Sequence, residues 1–269
     1  MTVYIILIPM KQLLNLLKLP QALQLVDLDD PANHSKIKAI IHRKPLLQQC
    51  YANFYADILE RIAPVENKVI LELGSGCSNF QAYLPSLITS DILPYPHVDR
   101  VFSALAIPYP DQSLDAVVMV DVLHHLPDCQ KALQEMQRCL KVGGKIVMIE
   151  PAHTPWSKFI FTNFHHEDFD VTGGWGAFGG GALTGANMAI PWIIFQRDQE
   201  RFKAEFPQLE ITALRLHTPI SYLVSGGLSL RQLVPNFFIP MTWTIEKILT
   251  PFVSYLGMFM TIELTKVFT

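Results

Sequence analysis

Short runs of apolar residues alternate with amphipathic segments along roughly the first half of the chain. Between positions 46 and 62 the apolar side chains recur every three to four residues, which predicts a helix that ends before Pro64. Five later runs read as strands, most of them almost continuously apolar: 68–73, 87–91, 99–104, 115–121 and 145–151. Strands of this kind, alternating with helices, predict a parallel sheet that is covered on both faces.

Two of the connections between these strands are predicted to be helices. Residues 78–84 follow the first strand directly and are expected to open a helix there. Asp128 is a favourable N-cap for a second helix, whose apolar positions continue until Gly143 and Gly144 end it.

The pattern becomes irregular after Pro151. Residues 172–185 are rich in glycine, which suits either a lid over a substrate or an ordinary surface loop. Residues 210–216 and 259–267 read as strands. Pairing these two antiparallel would close the sheet, with residues 223–255 as a helical insertion between them.

Composition excludes several classes of protein. Of the 269 residues, 50% are hydrophobic and 17% are charged, which excludes a disordered chain. The formal net charge of -3 provides no basic field to attract nucleic acid. The 4 cysteines are too sparse for a disulfide scaffold and have no CxxC spacing, so we expect a reducing, cytoplasmic environment. The apolar run at residues 1–9 is too short to span a bilayer and is interpreted as a core strand or a surface anchor.

The last third of the chain is rich in large apolar side chains. They are dense at residues 233–243 and 251–260. Two interpretations stay open: these residues belong to the core, or they form a surface that contacts a membrane or a lipid-like substrate.

The segment VILELGSGCSNF, at residues 69–80, ends a strand in an acid and a Gly-x-Gly turn. Such a turn lets the backbone approach a ligand closely. A dinucleotide fingerprint would need a third glycine where Asn79 stands, and Glu72 would repel a pyrophosphate. An acid in this turn suits a cationic ligand such as S-adenosylmethionine, which carries a sulfonium and an ammonium and has no phosphate.

Three further segments carry a family resemblance. Asp91 closes the second strand, ALAIPYPDQSLDAVVMVDVLHHL occupies residues 104–126, and LKVGGKIVMIEP occupies residues 140–151. Together with the glycine turn they resemble the LPFPDxSFDxV…LHHLxD…LKPGG pattern of class I S-adenosylmethionine-dependent methyltransferases, of the methyltransferase type 11 kind. The segments HHEDFD, ALTGANMAIPW and SGGLSLRQLVP resemble a bacterial branch associated with polysaccharide or lipid biosynthesis.

The resemblance implies a Rossmann-like α/β fold. Its sheet would be doubly wound, seven-stranded and mostly parallel, with an antiparallel C-terminal strand, an N-terminal helical cap and a C-terminal helical insertion. Residues 1–269 would form a single methyltransferase domain in three parts. These are the helical cap at 1–65, the cofactor-binding core at 66–151, and the substrate-side loops, insertion and closing strands at 152–269.

The resemblance also implies which residues bind S-adenosylmethionine. Those residues are Glu72, Gly74, Ser75, Gly76, Asp91, Ser103, Ala104, Leu105, Asp121 and Val122. The glycine turn would line the methionine and ribose, Asp91 would hold the ribose diol, residues 103–105 would flank the adenine, and residues 121–122 would face the methionine moiety. Many relatives carry an acid at or beside Ser103, and its absence here leaves backbone contacts for the adenine.

Histidines are the candidates for catalysis. Methyl transfer depends largely on positioning and on exclusion of water, and an oxygen or nitrogen acceptor can also need a general base. His125 and His153 follow the fourth and fifth strands, at the sheet edge where ligands bind in such folds. Packing roles for both, and for His124, stay open. Residues 165–167 suggest metal ligands, but adjacent residues rarely point at one ion and no further ligand is spaced plausibly, so we expect no metal.

The sequence therefore predicts a cytoplasmic S-adenosylmethionine-dependent methyltransferase. Its acceptor is expected to be a small molecule, a saccharide or a lipid-linked molecule, met in one interpretation at the inner membrane surface. An NAD-dependent oxidoreductase is less favoured, because of the missing third glycine and Glu72. A non-catalytic binding or assembly subunit that retains the fold is the second alternative, and the oligomeric state stays open.

Overall fold

One seven-stranded sheet organises the part of the chain that this computed structural model describes, which is residue 18 and residues 30–165, 167–177, 179, 181 and 185–268. The strands are β1 (Ile70–Glu72), β2 (Ile88–Asp91), β3 (Arg100–Val101), β4 (Leu114–Val120), β5 (Leu140–Pro151), β6 (Leu209–His217) and β7 (Phe259–Lys266). Their order is β3-β2-β1-β4-β5-β7-β6. β7 is antiparallel to both of its neighbours, and the other pairs are parallel. The predicted Rossmann-like sheet with an antiparallel C-terminal strand is confirmed.

Helices cover both faces of the sheet. The α-helices are α1 (His34–His42), α2 (Pro45–Ile62), α3 (Cys129–Cys139), α4 (Pro155–Phe164), α5 (Ile190–Trp192), α6 (Gln199–Glu205), α7 (Ser221–Ser225), α8 (Ile239–Leu249) and α9 (Val253–Leu256). A π-helical stretch, Ile193–Arg197, continues α5. Across the described residues, no helix combines the length and the apolar character needed to cross a bilayer.

Neighbouring residues of the central strand belong to different halves of the core. Val117 and Met119 of β4 pack in a cluster with α3, α5 and α6. Ala116 and Val118 pack on the other face with α2 and α4. Because successive side chains of a strand point to opposite faces, burial on both faces requires an almost continuous apolar run. This is why the buried strands β1 and β4 could be recognised in the sequence.

The prediction of a helix at residues 78–84 is wrong. The structure has a single 3-10 turn there, Phe80–Ala82. Phe80 is fully buried and stacks on Tyr55 with the ring centroids 4.6 Å apart. Pro85, three residues after the end of this turn, has no N–H to continue a helix. The chain therefore gains its burial from one aromatic ring and returns to the sheet without a helix.

The glycine pair does not end the second predicted helix. Its N-cap is confirmed, since the Asp128 side chain accepts a hydrogen bond from the Lys131 N–H at 2.8 Å. However, α3 ends at Cys139 and β5 begins at the next residue, so Gly143 and Gly144 lie inside a strand. The pairing of β4 with β5 shifts register in this region. The pair serves this irregularity, because Gly143 has φ +79° and a Cβ on Gly144 would lie 2.8 Å from the Lys141 carbonyl oxygen.

The predicted helical insertion between β6 and β7 is confirmed, and α7, α8 and α9 form it. The Glu246 carboxylate of α8 accepts hydrogen bonds from the Ser221 N–H at 3.0 Å and from its hydroxyl at 2.9 Å, which ties α8 to the start of α7. The buried Lys44 ammonium, just before α2, donates to the Gly227 and Leu230 carbonyl oxygens after α7. The insertion is thereby attached to the N-terminal helices.

Three sequence predictions fall on residues that the structure does not describe. These are the apolar segment at 1–9, His166, and five positions of the glycine-rich stretch at 172–185.

Candidate functional site

Acidic residues stand at the carboxyl ends of four adjacent strands. Glu72 ends β1, Asp91 ends β2, Asp121 follows β4 directly, and Glu150 is the last residue but one of β5. Parallel strands bring their carboxyl ends to one edge of the sheet, which is where ligands bind in open α/β folds. Three of these acids were predicted from the sequence, and Glu150 was not.

The glycine turn after β1 is fitted closely to β2 and to the end of β4. Gly74 has φ +64°, and a Cβ there would lie 2.6 Å and 2.8 Å from the two Cγ atoms of Val122. The Ser75 N–H donates to the Ser90 carbonyl oxygen at 2.9 Å. The Gly76 N–H donates to Asp91 Oδ2 at 2.8 Å. The fold thus brings predicted site residues from three strands into direct contact.

Glu72 is buried with one carboxylate oxygen unpaired. Its Oε1 accepts a hydrogen bond from the Ser78 hydroxyl at 2.8 Å. Its Oε2 is buried and has no hydrogen-bond partner among the described residues. Burial raises the pKa of Glu72 to about 7. A buried carboxylate oxygen of this kind, next to the glycines of the turn, suits the cationic group of a ligand.

Asp91 is buried at the end of β2. Its two oxygens accept hydrogen bonds from the N–H groups of Gly76 and Leu93, at 2.8 Å and 2.9 Å. Burial raises the pKa of Asp91 above its ordinary value. A carboxylate offers about four acceptor sites, so both oxygens keep the capacity to accept from a ribose diol.

The residues predicted to flank an adenine form a turn just after β3. The Ala106 N–H donates to the Ser103 carbonyl oxygen at 3.0 Å, and the Leu105 N–H donates to the Ser103 hydroxyl at 3.2 Å. Ala104 and Leu105 are half-buried and pack against the core. Their contact with adenine stays a prediction.

Asp121 and Val122 are held in place by β5. Asp121 adopts a left-handed backbone, φ +56°, and its N–H donates to the Ile149 carbonyl oxygen at 2.9 Å. The Val122 N–H donates to Glu150 Oε1 at 2.9 Å. Burial, together with the nearby Glu150 and Glu167, raises the pKa of Asp121 to about 7.

A buried Glu150–His124–Glu167 chain lies next to these residues. Glu150 is fully buried, and it accepts from the Leu123 N–H at 2.7 Å besides that of Val122. His124 Nδ1 lies 2.7 Å from Glu150 Oε2. Burial opposes charge on the imidazole, but the two carboxylates outweigh it and raise the pKa of His124 to about 10. The signal for Glu150 in the sequence is an acid within an otherwise apolar strand.

The two histidines predicted as general bases lie in different surroundings. Burial lowers the pKa of His125 to about 4, and its Nδ1 is 3.0 Å from the Gly185 carbonyl oxygen. His153 packs between Trp192 and Phe169, with ring centroids 4.4 Å and 5.7 Å away. Its Nε2 is buried without a hydrogen-bond partner among the described residues, and burial lowers its pKa. Both imidazoles are therefore neutral at pH 7.

Comparisons with known proteins agree with this geometry. A family model described as a methyltransferase domain matches residues 71–148. The demethylmenaquinone methyltransferase of Thermobifida fusca is 31% identical over 93 residues, which are 35% of this chain and 31% of that enzyme. The ubiquinone/menaquinone biosynthesis C-methyltransferase UbiE of Xanthomonas oryzae is 42% identical over 65 residues, 23% of this chain and 25% of that one. The chain thus spans less than a third of the length of these curated relatives.

A solved structure extends the likeness of fold over most of the chain. The geranyl diphosphate C-methyltransferase of Streptomyces coelicolor, in complex with Mg2+, geranyl-S-thiolodiphosphate and S-adenosyl-L-homocysteine, superposes with a TM-score of 0.50. The comparison covers 90% of this chain and 84% of that one at 18% sequence identity, which speaks for the fold alone.

The matched residues 71–148 contain most of the predicted site. They run from β1 into β5 and include the glycine turn, Asp91, residues 103–105 and residues 121–122. S-adenosylmethionine is the cofactor of the family. The contact of its cationic groups with Glu72 and of its ribose with Asp91, at this edge of the sheet, stays a prediction. The comparisons therefore support a class I S-adenosylmethionine-dependent methyltransferase domain, matched over residues 71–148.

Proposed function

We propose that this protein transfers the methyl group of S-adenosylmethionine to a small-molecule acceptor. The observation that carries the proposal is the contact of the glycine turn with Asp91 and Val122, beside the buried and half-unpaired Glu72. This arrangement offers backbone access, a carboxylate for a ribose and a carboxylate for a cation in one place. It contains no third glycine for a pyrophosphate.

Each predicted residue has a specific part in binding. Glu72 would pair with the ammonium of the cofactor, and Asp91 would accept from both ribose hydroxyls. The Gly74 and Gly76 backbone would lie against the methionine and ribose, with Ser75 anchoring the turn to β2. Residues 103–105 would flank the adenine, and Asp121 with Val122 would face the methionine moiety.

Catalysis would depend on the orientation of the acceptor and on the exclusion of water from the site. When bound, S-adenosylmethionine supplies a methyl group that is already activated for displacement. The chain's own residues would hold the acceptor in line with that group and exclude water. For an oxygen or nitrogen acceptor, neutral His125 or His153 would take up the proton at its Nε2.

Calorimetric titration of the full chain with S-adenosylhomocysteine, and separately with NADH, tests the proposal. We expect micromolar binding of the first and none of the second. Asp91→Ala should weaken binding by about 100-fold or more, because each hydrogen bond to a charged group is worth roughly 1.5–3 kcal/mol. Transfer of a labelled methyl group to candidate acceptors then separates an enzyme from a non-catalytic subunit.

Asp99→Ala is the matched control for Asp91→Ala. Asp99 accepts hydrogen bonds from the Thr89 N–H and from Gln81, both at 2.9 Å, and none from the glycine turn. Its loss should leave S-adenosylhomocysteine binding unchanged. Binding of NADH, or equal S-adenosylhomocysteine affinities for Asp91→Ala and the unaltered chain, would overturn the proposed pocket.

We further propose that the acceptor has a hydrophobic part and is met at a membrane surface. The support is an apolar ridge along the C-terminal insertion, made of Phe237, Met241, Ile245, Ile248, Phe252 and Tyr255. These side chains are spaced by three or four residues and are 37–75% exposed. They lie along α8, α9 and the short 3-10 turns beside them. Exposed apolar side chains at helical spacing are typical of an element that lies in the bilayer interface. The curated relatives are named for quinone methylation, and quinones are lipid-soluble.

The ridge belongs to the insertion whose first helix, α7, carries Tyr222 close enough to Asp121 for the two to interact electrostatically. Tyr222 of α7 packs on Phe54 of α2 and on Phe259 of β7, with ring centroids 6.5 Å and 4.7 Å away. Contact of the ridge with a bilayer would therefore bring the carboxyl edge of the sheet close to lipid-dissolved acceptors.

Sedimentation with phosphatidylcholine–phosphatidylglycerol vesicles tests the ridge. Replacing Phe237 and Ile248, 75% and 64% exposed, with serine should weaken vesicle binding at least tenfold, since burial of each side chain contributes roughly 1.5–3 kcal/mol. The control is Ile92→Ser, because Ile92 is 54% exposed outside the ridge. Equal partitioning of the unaltered chain, the double serine variant and Ile92→Ser onto vesicles would exclude membrane contact. So would light scattering that shows a dimer formed through the ridge.

A further inference from the structure

Three potential metal ligands that are far apart in the sequence converge beside Asp121. His124 and His125 lie in the turn after β4, and Glu167 follows α4. One ligand atom from each of the three lies within 4.8 Å of the others. We propose that His124, His125 and Glu167 form a binding site for a divalent transition-metal ion.

The hydrogen bonds at the other ring nitrogens orient both imidazoles for this role. A carbonyl oxygen can only accept, so the 3.0 Å contact with Gly185 places the proton of His125 on Nδ1. His124 Nδ1 faces the Glu150 carboxylate at 2.7 Å, and the other oxygen of that carboxylate is held by two backbone N–H groups. The Nε2 lone pair of His125 is left for a ligand, and a metal ion would displace the proton from Nε2 of His124, so both rings would then be oriented as metal-bound histidines are.

The spacing of the ligand atoms suits an ion better than direct hydrogen bonds. Glu167 Oε2 is 3.6 Å from His124 Nε2, and Oε1 is 3.9 Å from His125 Nε2. Both separations exceed a hydrogen bond. Ligands bound to a tetrahedral zinc at about 2.0–2.2 Å lie about 3.3–3.6 Å from one another, so a small contraction would close the site.

The surroundings are buried and acidic. The side chains of His124, His125 and Glu167 are 3%, 14% and 10% exposed. The Asn187 N–H donates to the His124 carbonyl oxygen at 2.9 Å, which fastens the following loop to this turn. Glu150 and Glu167 both interact electrostatically with Asp121. A divalent cation would neutralise the excess of negative charge.

The donor set indicates the kind of metal. Two imidazoles and one carboxylate favour zinc, iron, cobalt or manganese over calcium or magnesium, which prefer oxygen ligands throughout. Three protein ligands leave a position for water or for an oxygen of the acceptor. Binding of an acceptor oxygen rests on the proposed methyl transfer, whereas metal binding itself does not. With the ion bound, Nε2 of His125 is occupied and His153 is left as the candidate general base.

The test uses the full chain without a polyhistidine tag, stripped with a chelator. Titration with Co2+, followed by visible absorbance, and with Zn2+, followed by calorimetry, should give one ion per chain. Glu167→Gln and His125→Asn should weaken binding by at least 100-fold, and Glu150→Gln by 10- to 100-fold through loss of the ring orientation. Circular dichroism confirms that each variant is folded.

His42→Asn is the control for adventitious binding, because His42 is an exposed histidine at the end of α1. It should leave the Co2+ titration unchanged. Absence of Co2+ and Zn2+ binding, or equal binding by Glu167→Gln, overturns the metal site and leaves a proton shared by His124 and its carboxylates. S-adenosylhomocysteine titration of the same samples distinguishes this outcome from failure of the methyltransferase proposal.

Discussion

Gly74→Ala is expected to lower the affinity for S-adenosylhomocysteine by more than 100-fold. The added Cβ would lie 2.6 Å and 2.8 Å from the Cγ atoms of Val122, on a backbone with φ +64°. The left-handed conformation alone costs a non-glycine residue roughly 1–3 kcal/mol. Val122 cannot retreat freely, because its N–H is bound to the buried Glu150 at 2.9 Å. The turn must move instead, and the bond from Gly76 to Asp91 moves with it.

Gly143→Ala separates this clash from the strain of the backbone. Gly143 has φ +79°, and a Cβ there would meet nothing within 4 Å. We expect this variant to lose some stability and to keep its affinity for S-adenosylhomocysteine. Calorimetry gives the affinities, and thermal unfolding gives the stabilities. If Gly74→Ala bound as tightly as Gly143→Ala, the turn would not be the cofactor site.

Glu150→Ala is expected to reduce the free energy of unfolding by about 3–5 kcal/mol, as removal of one partner of a buried ion pair does. Glu150 is fully buried. Its removal leaves the His124 imidazole and the N–H groups of Val122 and Leu123 without this hydrogen-bond partner. Water has little access to replace the missing acceptor. Urea unfolding of chelator-treated protein measures the change.

Glu200→Ala provides the matched comparison for that measurement. Glu200 pairs with Lys203 at 2.8 Å, but its side chain is 88% exposed. Exposed ion pairs contribute little to stability, so this variant should have the same urea midpoint of unfolding as the unaltered chain. Equal urea midpoints for Glu150→Ala and Glu200→Ala would show that the buried acid is not structurally required.

The sheet and the glycine turn could be predicted because both depend on residues that are close together in the sequence. Burial on both faces demands continuous apolar runs such as Ala116–Met119, and left-handed turns in tight contact demand glycine, as at Gly74. Predictions from local sequence failed at two places where the same residues are compatible with more than one structure. Residues 78–84 had a helical pattern, but Pro85 and the burial of Phe80 left one 3-10 turn. The Gly143–Gly144 pair read as a helix end, and it serves a strand irregularity instead.

The apolar C-terminal third could not be assigned from sequence, since both core and surface elements are rich in large side chains. The structure divides it. Met258 to Leu264 are buried in β7 and just before it, whereas Phe237, Ile248 and Tyr255 are exposed on the insertion. Which face of a helix finds a partner depends on what packs against it, and that information lies elsewhere in the chain.

The sequence by itself determined the sheet, the glycine turn and the acids Glu72 and Asp91 at the strand ends, because these depend on periodicity and on residues close together in the chain. Only the tertiary structure brought Glu167 to His124 and His125. More than forty residues separate them, and hydrogen bonds from the following loop, Asn187 N–H to His124 and Met188 N–H to Asp168, hold the two segments side by side. Contacts between distant segments leave no spacing rule in the sequence, so the convergence of these ligands was visible only once the chain was folded.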